Sequence, residues 1–187
     1  MKYFYTLLLC LLSLQGNLAF AQIADKELLS LIGGTTGEGV GSGIRKILVD
    51  SARSQIYVLV TTSDFSLPVT EDAYMDGTAL GGDYNSYLAI YDMEMRELLY
   101  GSYLGGSRGA RTNEMIWSNR PDELLLAGST KSSDFPTTEN ARQKKLSGYS
   151  DMWYARFSLS DRRFTYVSFL GGRDHDYCDA AYIDSAG

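Results

Sequence analysis

Cysteine is almost missing from this chain of 187 residues, with only Cys10 and Cys178 present. Cys10 lies in an apolar run at the start, so processing there leaves Cys178 alone. A lone cysteine in an exported chain closes no internal disulfide, which excludes a disulfide-stapled scaffold. Cys10 is not read as a lipoprotein site either, because Leu9 precedes it where a small residue is wanted. Histidine occurs once, at His175, so any Ser-His or Cys-His nucleophile must pass through that ring. No G-x-S-x-G elbow is present. Basic residues are the minority, 17 against 23 acidic, for a net charge of −6. Such a chain suits neither nucleic-acid phosphates nor anionic lipid. Arg142, Lys144 and Lys145 make the tight basic group, and they read as a solvated loop. Helical periodicity is also scarce: beyond the first residues, ENARQKKL (139–146) is expected to make one or two turns.

What is present begins with a leader. Lys2, the apolar stretch Thr6 to Leu14 and the small-x-small triplet Ala19-Phe20-Ala21 follow the plan of a secretory signal peptide over 1–21. The apolar run is shorter than the ~20 residues of a membrane span, and an uncleaved anchor is the alternative. The expected address is secreted, extracellular or on a bacterial cell surface, with no membrane span after cleavage.

From residue 22 onward the chain is written in repeats. LIGG (31–34), YLGG (103–106) and FLGG (169–172) each end a strand-like run in two glycines. NSYLAIYDMEMRELLYGSYLGG (85–106) aligns without a gap on DMWYARFSLSDRRFTYVSFLGG (151–172), which pairs Ala89 with Ala155, Arg96 with Arg162, Tyr100 with Tyr166 and Ser102 with Ser168. SDFSLP (63–68) recurs as SDFPTT (133–138). Between these phrases lie short β-branched and aromatic runs: 44–50 and 55–62, 86–93 and 97–104, 113–118 and 122–129, 151–159 and 163–170. Each pair reads as a hairpin, and the stretches 63–82 and 130–150 read as long loops. The spacing from Gly33 to Gly105 and from Gly105 to Gly171 exceeds the ~40–50 residues of common propeller repeats, and the SDF loops account for the excess.

Four antiparallel strands per unit, with no helices to cover them, must stack on copies of themselves. Radial stacking makes each unit a blade of a β-propeller. The expected fold is therefore all-β, an incomplete ring of about two blades and part of a third: units at about 33–104 and 105–170, with a partial one at 171–187. The alternation of YLGG, an Asp closing the first strand (Asp50, Asp184), an aliphatic second strand, SSDFPTT and an acidic residue opening the third strand (Asp151) resembles the SBBP repeat, a seven-bladed β-propeller family. Gly171, Gly172, Asp176, Tyr177, Ile183, Asp184 and Gly187 carry the resemblance furthest. Ser118-Asn119 replaces an expected Asp, SDFSLP departs from SDFPTT, and Ile90 and Arg156 stand where the family often has Lys. The resemblance spans about 27–187 and implies export and surface display in bacteria, with no settled ligand and no catalytic set. It also implies that the remaining blades belong to a longer chain.

Candidate site residues are few. Asp174, His175, Asp176, Cys178 and Asp179 form the densest cluster. Zinc needs four placed ligands where one Cys and one His are present, and calcium lacks the glycine and terminal Glu of an EF-hand loop. The plainer reading has Asp176 capping the turn after the glycine pair, Asp179 opening the next strand and His175 in solvent. No pair of carboxylates stands out for glycoside hydrolysis. GEGVGSG (37–43) is superficially like a phosphate loop, but a strand, not a helix, is expected to follow it. Asp64-Phe65 and Asp134-Phe135-Pro136 are expected to fix turns and drop a Phe into the gap between sheets. No catalytic, cofactor-binding or metal residue is assigned and no cofactor is expected. The function expected is a non-enzymatic surface interaction or adhesion module for a protein or surface glycan. The alternative is a calcium-binding or carbohydrate-processing propeller that uses the aspartate-rich turns.

Overall fold

The computed structural model describes residues 43–94 and 97–184. Contacts divide the chain between Gly34 and Thr35, and every described residue belongs to the second unit. The leader at 1–21, the first glycine doublet and all of GEGVGSG except Gly43 lie outside the described residues.

Eight strands are present: β1 (Gly43–Asp50), β2 (Gln55–Thr62), β3 (Asn85–Asp92), β4 (Leu98–Leu104), β5 (Ala110–Trp117), β6 (Glu123–Thr130), β7 (Asp151–Ser158) and β8 (Arg163–Leu170). They make two four-stranded antiparallel meanders, β1-β2-β3-β4 and β5-β6-β7-β8. The protein is all-β over this span, as the β-branched runs and their turns require. ENARQKKL (139–146) does not form the expected helical turns; it runs as loop, held by backbone bonds to β8. Three hairpins turn through a non-glycine residue at positive φ just before the returning strand, at Ser54, Asp122 and Arg162.

The two sheets are built on one plan down to their irregularities. Each carries a register shift in its first pair, between Ile44 and Lys46 or Thr112 and Glu114, and another in its last pair, after Ile90 or Arg156. Each long loop returns along the outer strand and covers its edge. Thr70 N–H donates to Gly101 O (3.1 Å) while Gly101 N–H donates to Thr70 Oγ1 (3.2 Å), and Thr138 exchanges the same two bonds with Val167 (both 3.1 Å). One step on, Tyr103 N–H donates to Met75 O and Phe169 N–H to Gln143 O, each at 3.1 Å. The hydroxyls of Ser102 and Ser168 accept from Tyr74 N–H and Gln143 N–H at the same level. Unpaired strand edges invite pairing with other chains, and these loops satisfy the edges instead.

The sheets stack with opposite faces in contact. Tyr57, Leu59, Leu88, Ile90 and Tyr100 of the first sheet share one buried cluster with Met115, Leu124, Leu126, Trp153, Ala155 and Phe157 of the second. Ring pairs cross between the sheets, Tyr57 with Trp117 at 5.5 Å and Tyr100 with Phe157 at 5.1 Å. The counterparts of Tyr57, Leu59, Leu88, Ile90 and Tyr100 in the second sheet are Leu125, Ala127, Tyr154, Arg156 and Tyr166. These lie on its other face and are half-exposed. The packing is thus head-to-tail, a geometry that does not close on itself after one contact.

The glycine doublets sit where each sheet ends. Asp151 opens β7 at 0% exposure, and its carboxylate accepts from the backbone N–H of Ser147 and Gly148. A Cβ on Gly171 would lie 2.6 Å from Asp151 Cγ, whereas one on Gly172 would meet nothing nearer than Asp176 Oδ2 at 3.9 Å. Asn85 takes the same place at β3 against Gly105, and its Oδ1 accepts from Gly106 N–H at 2.9 Å. Gly171→Ala is therefore expected to destabilise the protein by about 1–3 kcal/mol through overpacking, and Gly172→Ala by less than about 0.5 kcal/mol. Urea titrations of the two variants side by side would check this.

Candidate functional site

Two clefts lie at opposite ends of β5. The first, of about 310 Å³, is lined by Val49, Asp50, Arg53, Trp117, Asp122 and Leu159 among others. It lies where the β1–β2 and β5–β6 turns meet. Arg53 joins them, with Nη1 at 2.7 Å from Asp50 Oδ2 and Nη2 at 2.8 Å from Asp122 Oδ1. Asp122 also accepts from the backbone N–H and the hydroxyl of Ser160. The Ser160 bonds foremost, then Arg53, hold the Asp122 carboxyl below its ordinary value. Burial opposes ionisation of Asp50, but its bonds to Arg53 and Ala52 outweigh that and its carboxyl is also held low. This cleft is a charge clasp whose groups already satisfy one another.

The second cleft, of about 380 Å³, opens between the start of β5, the end of β6 and the segment after the third glycine doublet. Arg108, Arg111 and Lys131 line it together with Tyr84, Tyr177 and Cys178. The Arg111 guanidinium lies 4.3 Å over the Tyr84 ring. Asn113 sits in the register shift of β5, which turns its side chain towards the cleft, where its amide donates to Cys178 O. Cys178 N–H donates to Ser129 Oγ at 2.8 Å.

The segment after Gly172 retraces the path by which the first sheet hands over to the second. Asp176 N–H donates to Ser150 O at 2.8 Å, as Ala110 N–H donates to Tyr84 O at 2.9 Å. A Cβ on Gly148 would collide with Asp174, as one on Gly82 would with Arg108. The parallel holds through residues 174–178, and no strand is formed at 179–184. Asp179 therefore does not open a described strand.

Asp176 accepts from Gly172 N–H at 2.7 Å and so caps the turn. His175 is exposed but not merely solvated: its Nδ1 is 3.0 Å from Ser150 Oγ, and its ring stacks between Tyr149 (5.2 Å) and Tyr177 (5.8 Å). Ser150 is only 1% exposed, so its hydroxyl positions the imidazole from beneath. Among the described residues no carboxylate hydrogen-bonds that ring. Burial foremost, then Glu114 and Asp179, pushes the Cys178 thiol up, which keeps it protonated and weakly nucleophilic. Among the described residues no three His, Cys, Asp or Glu side chains converge as a metal cage. Asp64 fixes its turn through Ser66, whose N–H donates at 2.9 Å and whose hydroxyl donates at 2.6 Å. Asp134 instead reaches the second glycine doublet and accepts from Ser107 N–H at 3.1 Å. Phe135 is buried against Trp153 and Phe169, and Phe65 packs on Tyr103. Phe135 thus joins the buried cluster that the two sheets share, as expected, whereas Phe65 packs within its own sheet. Arg142 N–H donates to Tyr166 OH, while Lys144 and Lys145 are exposed. Gly43 opens β1, so a strand follows the glycine-rich stretch.

Sequence reading missed Arg108, Arg111, Lys131 and Tyr84. The available signal was that Arg108 and Arg111 directly follow a glycine doublet, at the handover that recurs after Gly172. No family model and no curated protein matches this chain, and among the described residues no helix is long and apolar enough to cross a membrane.

The clasp at the first cleft gives an acid signature. Asp50 and Asp122 are held below their usual value of 3.8, so their stabilisation is complete above the ordinary carboxylate range and is lost as pH falls through the lower folded-state values. Arg53→Met is expected to cost about 1 kcal/mol at neutral pH, since the pair is partly solvent-screened. It should also flatten the loss of stability between about pH 4 and pH 2. Denaturation midpoints of both proteins across that range would check it.

Proposed function

We propose that this chain is an exported, non-enzymatic β-propeller repeat protein of the SBBP type, acting at the bacterial cell surface as an interaction or adhesion module for a protein or glycan. Its two four-stranded sheets are read as successive blades. The observation that carries the reading is the head-to-tail stacking: the second sheet covers the first with one face and leaves half-exposed the face its predecessor has buried. Residues 174–178 start the next handover along the same path. A packing rule that can be repeated suits a solenoid or a ring, in which each unit rests only on its neighbours. The signal-like plan of residues 1–21 supports export. A binding role rather than a catalytic one is favoured because the grouped side chains at the second cleft offer charge and aromatic surface, while Cys178 stays protonated and Ser150 is buried.

The reading is tested by producing the whole chain in bacteria and fractionating the culture. N-terminal sequencing of the exported form should begin at Gln22, and intact cells or medium should carry the protein. Full retention in the cytosol with Met1 in place would overturn the export and surface role.

A further inference from the structure

We propose that the cleft between the start of β5, the end of β6 and residues 177–179 binds a carboxylate-bearing sugar, a uronate unit of an acidic polysaccharide. The proposal rests on the surface-module reading and names the ligand of that module. Its first support is charge. Arg108, Arg111 and Lys131 line one cleft and are all exposed, and no ion pair neutralises them among the described residues. They gather in a chain whose overall balance is −6. Cations left together and unpaired in an acidic protein form a local anion site. Stacking on Tyr84 at 4.3 Å orients the Arg111 fork while leaving its charge free, and a planar fork matches the two oxygens of a carboxylate.

The second support is the aromatic wall. Tyr177 is 56% exposed, yet its ring is held flat against His175 with the planes 5° apart. His175 is in turn pinned by buried Ser150 and backed by Tyr149. A preorganised ring with open surface can take the apolar C–H face of a pyranose with little loss of side-chain freedom. The third support is the mixed lining. Asp83 and Asp179 share the cleft with the cations. They supply acceptors for sugar hydroxyls and disfavour a polyanionic phosphate chain. The volume of about 380 Å³ lies at the small end of ligand sites and suits one or two sugar rings.

The test is calorimetric titration of the whole chain with trigalacturonate, with its methyl ester and with a neutral galactose trisaccharide. Trigalacturonate should bind, and the ester and neutral sugar about tenfold or more weaker, since both lack the charge-assisted bond. The double variant Arg111→Gln/Lys131→Gln should lose at least about tenfold in affinity with an unchanged melting temperature, and Tyr177→Ala should weaken binding independently. Equal binding of the neutral sugar would overturn the proposal, as would an unaffected double variant, tighter binding of dextran sulfate, or no heat at millimolar trigalacturonate. If the protein still reaches the cell surface and captures a partner there, such a result removes the uronate assignment and leaves the module reading standing. Failure of export removes the module reading itself.

Discussion

A four-stranded sheet that is apolar on both faces cannot stand alone in water, and the rest of this structure follows from that constraint. β2 and β3 of the first sheet are buried along nearly their whole length. In the second sheet, β6 and β7 alternate between buried and half-buried positions. One face of the second sheet has found its partner, and the counterpart of its predecessor's covered face is still partly open. Apolar burial supplies the driving force at about 25 cal/mol per Å², but it is non-directional. Direction comes from the polar contacts that surround it.

Those contacts cluster where the chain crosses from one sheet to the next. Asn85 and Asp151 occupy the space a side chain would need at Gly105 and Gly171. Both are fully buried and hydrogen-bonded, as buried polar groups must be. The long loops then tie back along β4 and β8, so the edge that would otherwise recruit another chain is closed. Lys46 reaches Glu114 at 3.1 Å, and Arg162 donates to Leu99 O at 2.8 Å. These contacts fix the two sheets in register without adding to the core.

The same crossover builds the second cleft. The start of β5, the end of β6 and the turn after Gly172 meet there. Whatever side chains occupy those positions are brought together as a by-product. In this chain they are three cations, two acidic groups and a stack of rings. A scaffold position thus becomes a chemical surface through the choice of residues at its rim, which is how function is commonly grafted on repeat folds.

The strands were legible because alternation of apolar residues and turn chemistry act over a few positions. The runs 55–62, 86–93 and 163–170 emerged as strands nearly to the residue. The doublets were legible because glycine alone fits beside Asn85 and Asp151. The helical expectation at 139–146 failed because Gln143 and Thr138 spend their backbone groups on β8, a partner that no local pattern discloses. The cationic cleft was illegible for a related reason: Tyr84, Arg111, Lys131 and Tyr177 stand on four separate segments. The sequence by itself determined the strands, the turns and their repetition, since these depend on near neighbours along the chain. Only the tertiary structure decided which face meets which and which charges share a cleft, because those depend on contacts between units that local chemistry does not encode.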